Sequence, residues 1–333
     1  VIFRTRREAV VDESPAADLL ARIDSLVERN RGRRNPSLER EMLALRHRAG
    51  ARLAGEATGA SFPEPDFDGL ADGPLPELEP AGLTPELLRA GILRDGAVLV
   101  RGLLDPALAT GFAAEIERAF DARTALGAGG GAEEGYYEEF EPGPPVDLES
   151  EREWVTDGGL WAADSPKLMF EMLEAFERSG LRAVIHGYLG ETPAISIQKC
   201  TLRKVNPDTG TGWHQDGAFL GEVRALNVWV ALSRCGDEAP GLDVVARRLD
   251  EIVPTGTEGA IFDWSVAPDV VERVAGPGGV VRPIFEPGDV LLFDEMNLHS
   301  TAADPSMPNP RYAIESWFFG LSGFPAEYVP LAF

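Results

Sequence analysis

The sequence predicts an α+β fold, mainly β after residue 191, with short antiparallel strands in a sandwich or barrel and helices packed on its outside. Three observations carry that expectation. Six runs rich in β-branched and aromatic residues are separated by Gly/Pro turns: Ala194–Val205, Ala225–Leu232, Leu242–Ala246, Gly279–Ile284, Asp289–Phe293 and Tyr312–Phe319. Upstream, three helix starts share a capping residue followed by proline, at Thr84–Pro85, Asp105–Pro106 and Ser165–Pro166. At 333 residues and 44% hydrophobic, the chain can bury a sizeable core, long for one compact domain and short for two.

Taken in order, Val1–Arg7 alternates apolar with basic residues and lacks the apolar stretch and cleavage site of a secretory signal. Residues 13–53 predict one or two helices: Leu19, Leu20, Ile23 and Leu26–Val27 recur at helical spacing, and Leu38, Met42 and Leu45 repeat the pattern after Pro36. The arginines opposite (Arg33, Arg34, Arg40, Arg46, Arg48, Arg52) suit a solvated face better than a phosphate-binding one, given the glutamates among them. Residues 54–83 turn to Pro, Gly, Asp and Glu and predict a linker or extended wrap. The folded unit then spans 84–333. In it Ala97–Leu103 reads as a strand, and the helix after Asp105 places Leu108, Phe112, Ile116 and Phe120 on one face. The helix after Ser165, with Leu168, Met172, Leu173 and Phe176, continues past a break at Gly180 to Leu189. Residues 126–148 combine glycines and prolines with Tyr136, Tyr137 and Phe140, fitting either a lid or an ordinary insertion.

Charge and cysteine content narrow the function. The net charge of −24 argues against nucleic acid or an anionic membrane as partner. It is uneven, +4 over residues 1–53 and −28 over the rest, as if a basic extension rested on an acidic body. Two cysteines, Cys200 and Cys235, give neither a disulfide framework nor a zinc cluster and fit a reducing cytoplasm. No stretch approaches the roughly 18–20 apolar residues of a membrane span.

Of the four histidines, His47 and His186 read as structural or exposed. His214 stands in Trp213-His214-Gln215-Asp216-Gly217, where residues two apart on an extended segment share a face. A second histidine, His299, follows the turn and buried strand Pro287-Gly288-Asp289-Val290-Leu291-Leu292-Phe293. Two imidazoles and one carboxylate occupy one face of an octahedron and leave three positions open, as non-haem Fe(II) oxygenases require. Arg311 opens an apolar strand, where a guanidinium pointing inward needs an anion, and the distal carboxylate of 2-oxoglutarate is a natural one.

Together, His214-Gln215-Asp216, the Pro-Gly-Asp-Val-Leu-Leu-Phe strand, His299-Ser300-Thr301 and Arg311 resemble the phytanoyl-CoA dioxygenase family of Fe(II)/2-oxoglutarate oxygenases. Arg94–Pro106 and Asn227–Leu232 extend the resemblance, which covers about residues 84–320. It implies a double-stranded β-helix, the cupin-like jelly roll, with buttressing helices. It implies Fe(II) on His214, Asp216 and His299, with 2-oxoglutarate and O₂ as co-substrates. Arg311 would hold the distal carboxylate, Thr301 would lie beside it, Trp229 along the wall, and Thr201 on the strand leading to the metal motif. The implied product is an oxidised small molecule, with succinate and CO₂ released, from a monomer or homodimer.

Gln198, Trp213, Phe219 and Trp264 are candidate substrate contacts, while Asp294 and Glu295 read as an exposed strand end. The lysine some members direct at the co-substrate has no evident counterpart among Lys167, Lys199 and Lys204, and Ala246-Arg247-Arg248-Leu249 replaces the family's Pro-Gly-Ser-His turn. An acidic domain also advertises no basic cleft for the phosphates of an acyl-CoA. Two rival readings differ in class. A cupin-like metalloenzyme without 2-oxoglutarate would leave Arg311 without a purpose, and a silent binding or regulatory relative would have little use for an intact triad.

Overall fold

Helix starts follow local chemistry. In the computed structural model, which describes residues 14–57, 59–142, 148–155, 158–210 and 212–333, the N-terminal region forms two helices, α1 (Ala16–Gly32) and α2 (Pro36–Glu56). Val1–Arg7 lies outside the described residues. Asn35 caps α2 by accepting the Ser37 N–H at 2.9 Å. A short strand β1 (Glu77–Leu78) precedes α3 (Pro85–Asp95), β2 (Ala97–Val100) and α4 (Pro106–Gly127). Thr84 accepts the Leu87 N–H at 3.2 Å, and Asp105 accepts those of Ala107 and Leu108 at 2.8 and 3.0 Å, so two of the expected caps form. The third does not. Ser165 makes no capping bond, and its hydroxyl turns to the Gly135 carbonyl instead. On α4 the buried face is Ala109, Phe112, Ala113, Ile116, Ala119 and Ala122; Leu108, expected inside, is exposed.

The rest of the chain runs α5 (Glu149–Arg152), β3 (Gly159–Trp161), α6 (Pro166–Arg178), α7 (Leu181–Leu189), β4 (Pro193–Val205), α8 (Gly217–Leu220), β5 (Ala225–Ala231) and β6 (Gly241–Val245). It ends with α9 (Pro268–Ala275), β7 (Val280–Val281), β8 (Val290–Phe293), β9 (His299–Ala302), β10 (Arg311–Gly320) and β11 (Pro330–Ala332). One sheet has the order β1-β2-β8-β5-β10-β4-β11, with β3 also on β4; the other is β7-β6-β9. All pairings are antiparallel except β1 with β2. The large sheet packs one face on α3, α4, α6 and α7, through Val98, Ile116, Phe176, Ile185, Leu202 and Phe318 among others. Its other face meets the small sheet, with Trp229, Leu291, Phe293 and Trp317 against Leu242 and Val244. These are the two facing sheets and buttressing helices of the expected jelly roll.

A register shift between β4 and β10 decides which β4 residues reach the inside. Cys200 pairs with Ser316, but Phe318 already pairs with Ile195, so β4 carries extra residues there. Ile195 and Ile197 therefore join the helix-side core with Cys200 and Leu202, while Lys199, Thr201 and Arg203 line the interior cavity.

The N-terminal helices are fastened by charge as well as by packing. Leu19, Ile23, Leu26, Met42 and Leu45 cluster with Phe170 and Ala332. Arg31 pairs bidentately with Glu174 on α6 at 2.6 and 2.8 Å, and Arg40 reaches Glu134 and Glu138. Of the arginine face, Arg34 and Arg40 meet glutamates, Arg46 donates to Ala332 O at 2.8 Å, and Arg33 is exposed. Segment 126–142 belongs to the same layer: Tyr136 is buried, stacks under Arg118 and donates to Glu115, which Lys167 also contacts. These aromatics are not placed over the cavity, and residues 143–147 of the possible lid lie outside the described ones.

Glu115 gives an acid-stability prediction. Burial pushes its carboxyl up, but hydrogen bonds from Lys167 and Tyr136, with the Lys167 charge, overrule it and hold it at about 2. A carboxyl depressed on folding adds stability above its unfolded value of 4.5, and that stability fades as pH falls toward about 2. Glu115→Gln is expected to cost about 1 kcal/mol at pH 7 and almost nothing near pH 2. Urea unfolding at both pH values checks this; a pH-independent difference contradicts it.

Candidate metal and co-substrate site

His214 and His299 arrive on neighbouring strands. They form an antiparallel bridge, His214 N–H donating to His299 O at 2.9 Å and His299 N–H to His214 O at 3.1 Å. Their rings lie 4.4 Å apart between centroids. Each Nδ1 is directed at a backbone carbonyl two residues upstream, His214 at Gly212 O (2.9 Å) and His299 at Asn297 O (3.2 Å). A ring that donates from Nδ1 leaves the Nε2 lone pair free to ligate a metal. Burial, followed by the neighbouring His214, pulls His299 down to about 4, so its ring is neutral at physiological pH.

Asp216 turns out of the extended segment as the residue before α8, with φ −63° and ψ −26°. Alternation along a strand therefore accounts for His214 but not for the carboxylate, which is aimed by the turn. One ligand atom from each of His214, Asp216 and His299 lies within 4.8 Å of the others. Asp216 Oδ2, 3.8 Å from His299 Nε2, is buried with no hydrogen-bond partner among the described residues. A buried carboxylate oxygen without a donor is costly, and a divalent cation removes that cost. The donor set and the orphaned oxygen fit a metal.

Gln215, between the two ligands, was not singled out from the sequence. Its amide donates to Met296 O (2.9 Å) and Glu251 O (3.2 Å), and its carbonyl accepts the Val253 N–H (2.8 Å). It pins the ligand loop between the segment before His299 and the loop after β6. Nothing in its spacing distinguishes such a glutamine from a surface one.

Beside the triad lies a cavity of about 730 Å³ lined by His214, Asp216, His299, Trp229, Thr201, Thr301 and Arg311, among others. Arg311 is 2% exposed and donates to Gly241 O at 2.8 Å, with its guanidinium 5.4 Å from the Trp229 ring centroid. Burial pulls it down to about 10, which leaves it charged at neutral pH. Among the described residues no carboxylate pairs with it, and its Nε has no partner. Thr201 Oγ1 and Arg203 Nε are likewise buried without partners. Four of the ten such atoms among the described residues belong to this one cavity, so its lining suits a polar ligand. A larger groove of about 860 Å³ near α1, α4 and α6 is lined by charges already paired, such as Arg31–Glu174 and Lys167–Glu115.

Of the candidate substrate contacts, Phe219 and Trp264 stand at the cavity, Trp264 edge-on to His214 at 5.8 Å. Gln198 lines it too, but its amide is spent on Glu327 O and Val329 N–H. Trp213 does not. Paired with Val266, it packs beside α9 in a separate core, because neighbouring residues of an extended segment face opposite ways. Asp294 is not at an exposed strand end: it is buried and accepts from Arg248 at 2.6 Å. The sequence reading also missed Lys199, Arg203, Glu315 and Tyr328 in the lining. Three of the basic residues meet in this cavity even though the chain is acidic overall.

Residues 92–307 match the family model described as Phytanoyl-CoA dioxygenase (PhyH). No curated protein sequence matches the chain. Among solved structures, EctD from S. alaskensis with bound Fe aligns with TM-score 0.50 and 17% identity over 80% of this chain and 85% of that one. The epimerase SnoN in complex with Fe3+, alpha ketoglutarate and nogalamycin RO aligns with TM-score 0.46 and 20% identity over 71% and 83%. At these identities the likeness is one of fold. The family match spans most of the chain and both histidine motifs, so the chain belongs to the phytanoyl-CoA dioxygenase family of non-haem iron, 2-oxoglutarate-dependent oxygenases.

Proposed function

We propose that His214, Asp216 and His299 hold Fe(II), that Arg311 anchors the distal carboxylate of 2-oxoglutarate, and that the chain oxidises a small organic substrate while releasing succinate and CO₂. The observation that carries this reading is the convergence of two Nδ1-anchored imidazoles and one unpartnered carboxylate oxygen on a single point. When bound, the metal and its 2-oxo acid supply the activation of O₂. The chain's own residues bind, orient and exclude water. Gln215 fixes the ligand loop, Trp229 stacks under the guanidinium, and Phe293 packs 4.8 Å from the His299 ring to restrict its rotation. Thr201 and Thr301 line the same cavity as the triad and Arg311, and they act as further polar contacts for the co-substrate.

Residues 1–53 are read as a helical extension clamped on an oxygenase domain of 84–333, with 54–83 as the connecting wrap; the Arg31–Glu174 pair supports the clamp. No described helix is long and apolar enough to cross a membrane. A cytoplasmic setting is supported by Cys200 and Cys235, both free and buried, with thiols pushed up to about 12 by burial. The charge of −24 supports the absence of a nucleic-acid partner, and the assembly is read as a monomer or homodimer. Anaerobic addition of Fe(II) and 2-oxoglutarate is expected to give a weak visible charge-transfer band that His214→Ala abolishes. A band that survives in the variant sinks the assignment.

A further inference from the structure

The mouth of the cavity bears on the substrate. Two of the chain's three lysines are paired, Lys167 with Glu115 and Glu171, and Lys204 with Glu117. Lys199 has no carboxylate at ion-pair distance among the described residues; its ammonium sits 6.0 Å from the Phe219 ring centroid and 5.8 Å from that of Tyr328, and all three line the cavity. The cations of the lining are Lys199, Arg203 and Arg311, and its carboxylates are Asp216 and Glu315, which leaves one positive charge over. A ferrous ion and a 2-oxoglutarate dianion cancel each other, so the loaded site keeps that charge. Lys199 is half-buried, and a cation partly removed from water with no carboxylate beside it gains from a monoanion at the cavity mouth.

The same region exposes apolar surface. Phe219, Ile252, Ile261, Phe262 and Trp264 are half of the exposed large hydrophobics among the described residues. Four of them cluster: Trp264 stacks on Phe262 at 5.0 Å and 6°, Phe219 lies 6.3 Å from Trp264, and Ile252 lies against Gly217, next to Asp216. Apolar side chains gathered beside a charged cavity mark a ligand surface.

We infer that the substrate is an amphipathic carboxylic acid, with its carboxylate seated on Lys199 and its apolar body lying across Phe219 and Trp264. The inference rests on the metal and co-substrate assignment above for the charge balance. Lys199 is a specificity-determining residue in this account, with no part in holding iron or 2-oxoglutarate.

The test is ligand-observed NMR on the full chain loaded with Zn(II) and 2-oxoglutarate, using 4-phenylbutyrate, its methyl ester, 4-phenylbutylamine and 4-phenylbutyl phosphate. The acid is expected to bind about tenfold more tightly than the ester, and the amine more weakly than either. Lys199→Gln should erase the acid's advantage over the ester while leaving 2-oxoglutarate affinity unchanged, and Trp264→Ala should weaken acid and ester alike. Equal binding of acid, ester and amine, a preference surviving in Lys199→Gln, or no binding of the acid overturns the inference; tighter binding of the phosphate overturns the choice of carboxylate. Failure of the metal assignment is read separately, as a chain that binds neither Fe(II) nor 2-oxoglutarate.

Discussion

Replacing Arg311 with methionine is expected to raise the KM for 2-oxoglutarate about a hundredfold, with iron affinity within about threefold of the parent chain. The guanidinium is buried, charged and without a carboxylate partner among the described residues, so the incoming anion meets a cation already stripped of water. Losing one partner of a buried, hydrogen-bonded charge pair costs about 2–5 kcal/mol, which sets the size of the effect. Arg311→Lys should rescue little, because an ammonium cannot both donate to Gly241 O and present a planar fork to a carboxylate. Initial-rate succinate release against 2-oxoglutarate, with a parallel iron titration, reads both quantities. An unchanged KM would remove Arg311 from the co-substrate site.

Asp216→Ala is expected to move activity and stability in opposite directions. Turnover should fall about a thousandfold or more, since a ligand is lost outright, whereas loss of a partner that only orients a ligand typically costs 10–100-fold. The metal-free chain should become more stable, by about 1–2 kcal/mol, because the variant deletes a buried carboxylate oxygen that lacks a donor. Thermal unfolding of metal-free protein and succinate release from the iron-loaded protein measure the two arms. A destabilised metal-free variant would mean that the carboxylate is satisfied within the chain and has no need of a cation.

Local signals in the sequence reveal more of this structure than long-range ones do. Proline after a capping residue located α3, α4 and α6, because proline's fixed φ and missing N–H suit a first helical turn whatever lies around it. The two histidines stand out because the chain has only four, and Arg311 stands out only by its position at the start of an apolar strand after His299. β9 was not anticipated as a strand: His299-Ser300-Thr301-Ala302 has no apolar run, and only pairing with β6 makes it one. Lys199 and Arg203 were hidden for a different reason. The irregularity in β4 changes which residues face inward, so alternation counted from Ile195 puts them on the wrong side. Trp213, a candidate substrate contact by sequence, shows the converse case, because the regular pleat beside His214 sends its ring to α9. Gln215 belongs to the His214-Gln215-Asp216 motif, but its bonding role left no trace, since its three partners come from segments 36 to 81 residues away.

In the proposed site, two imidazoles and one carboxylate brought together from distant parts of the chain share a single cation. Iron-edge anomalous diffraction from crystals loaded with Fe(II) and grown without oxygen tests it directly. One strong peak is expected about 2.0–2.2 Å from Nε2 of His214, Nε2 of His299 and an Asp216 oxygen. A peak elsewhere, or ligation through either Nδ1 with the backbone bonds to Gly212 and Asn297 broken, would contradict it.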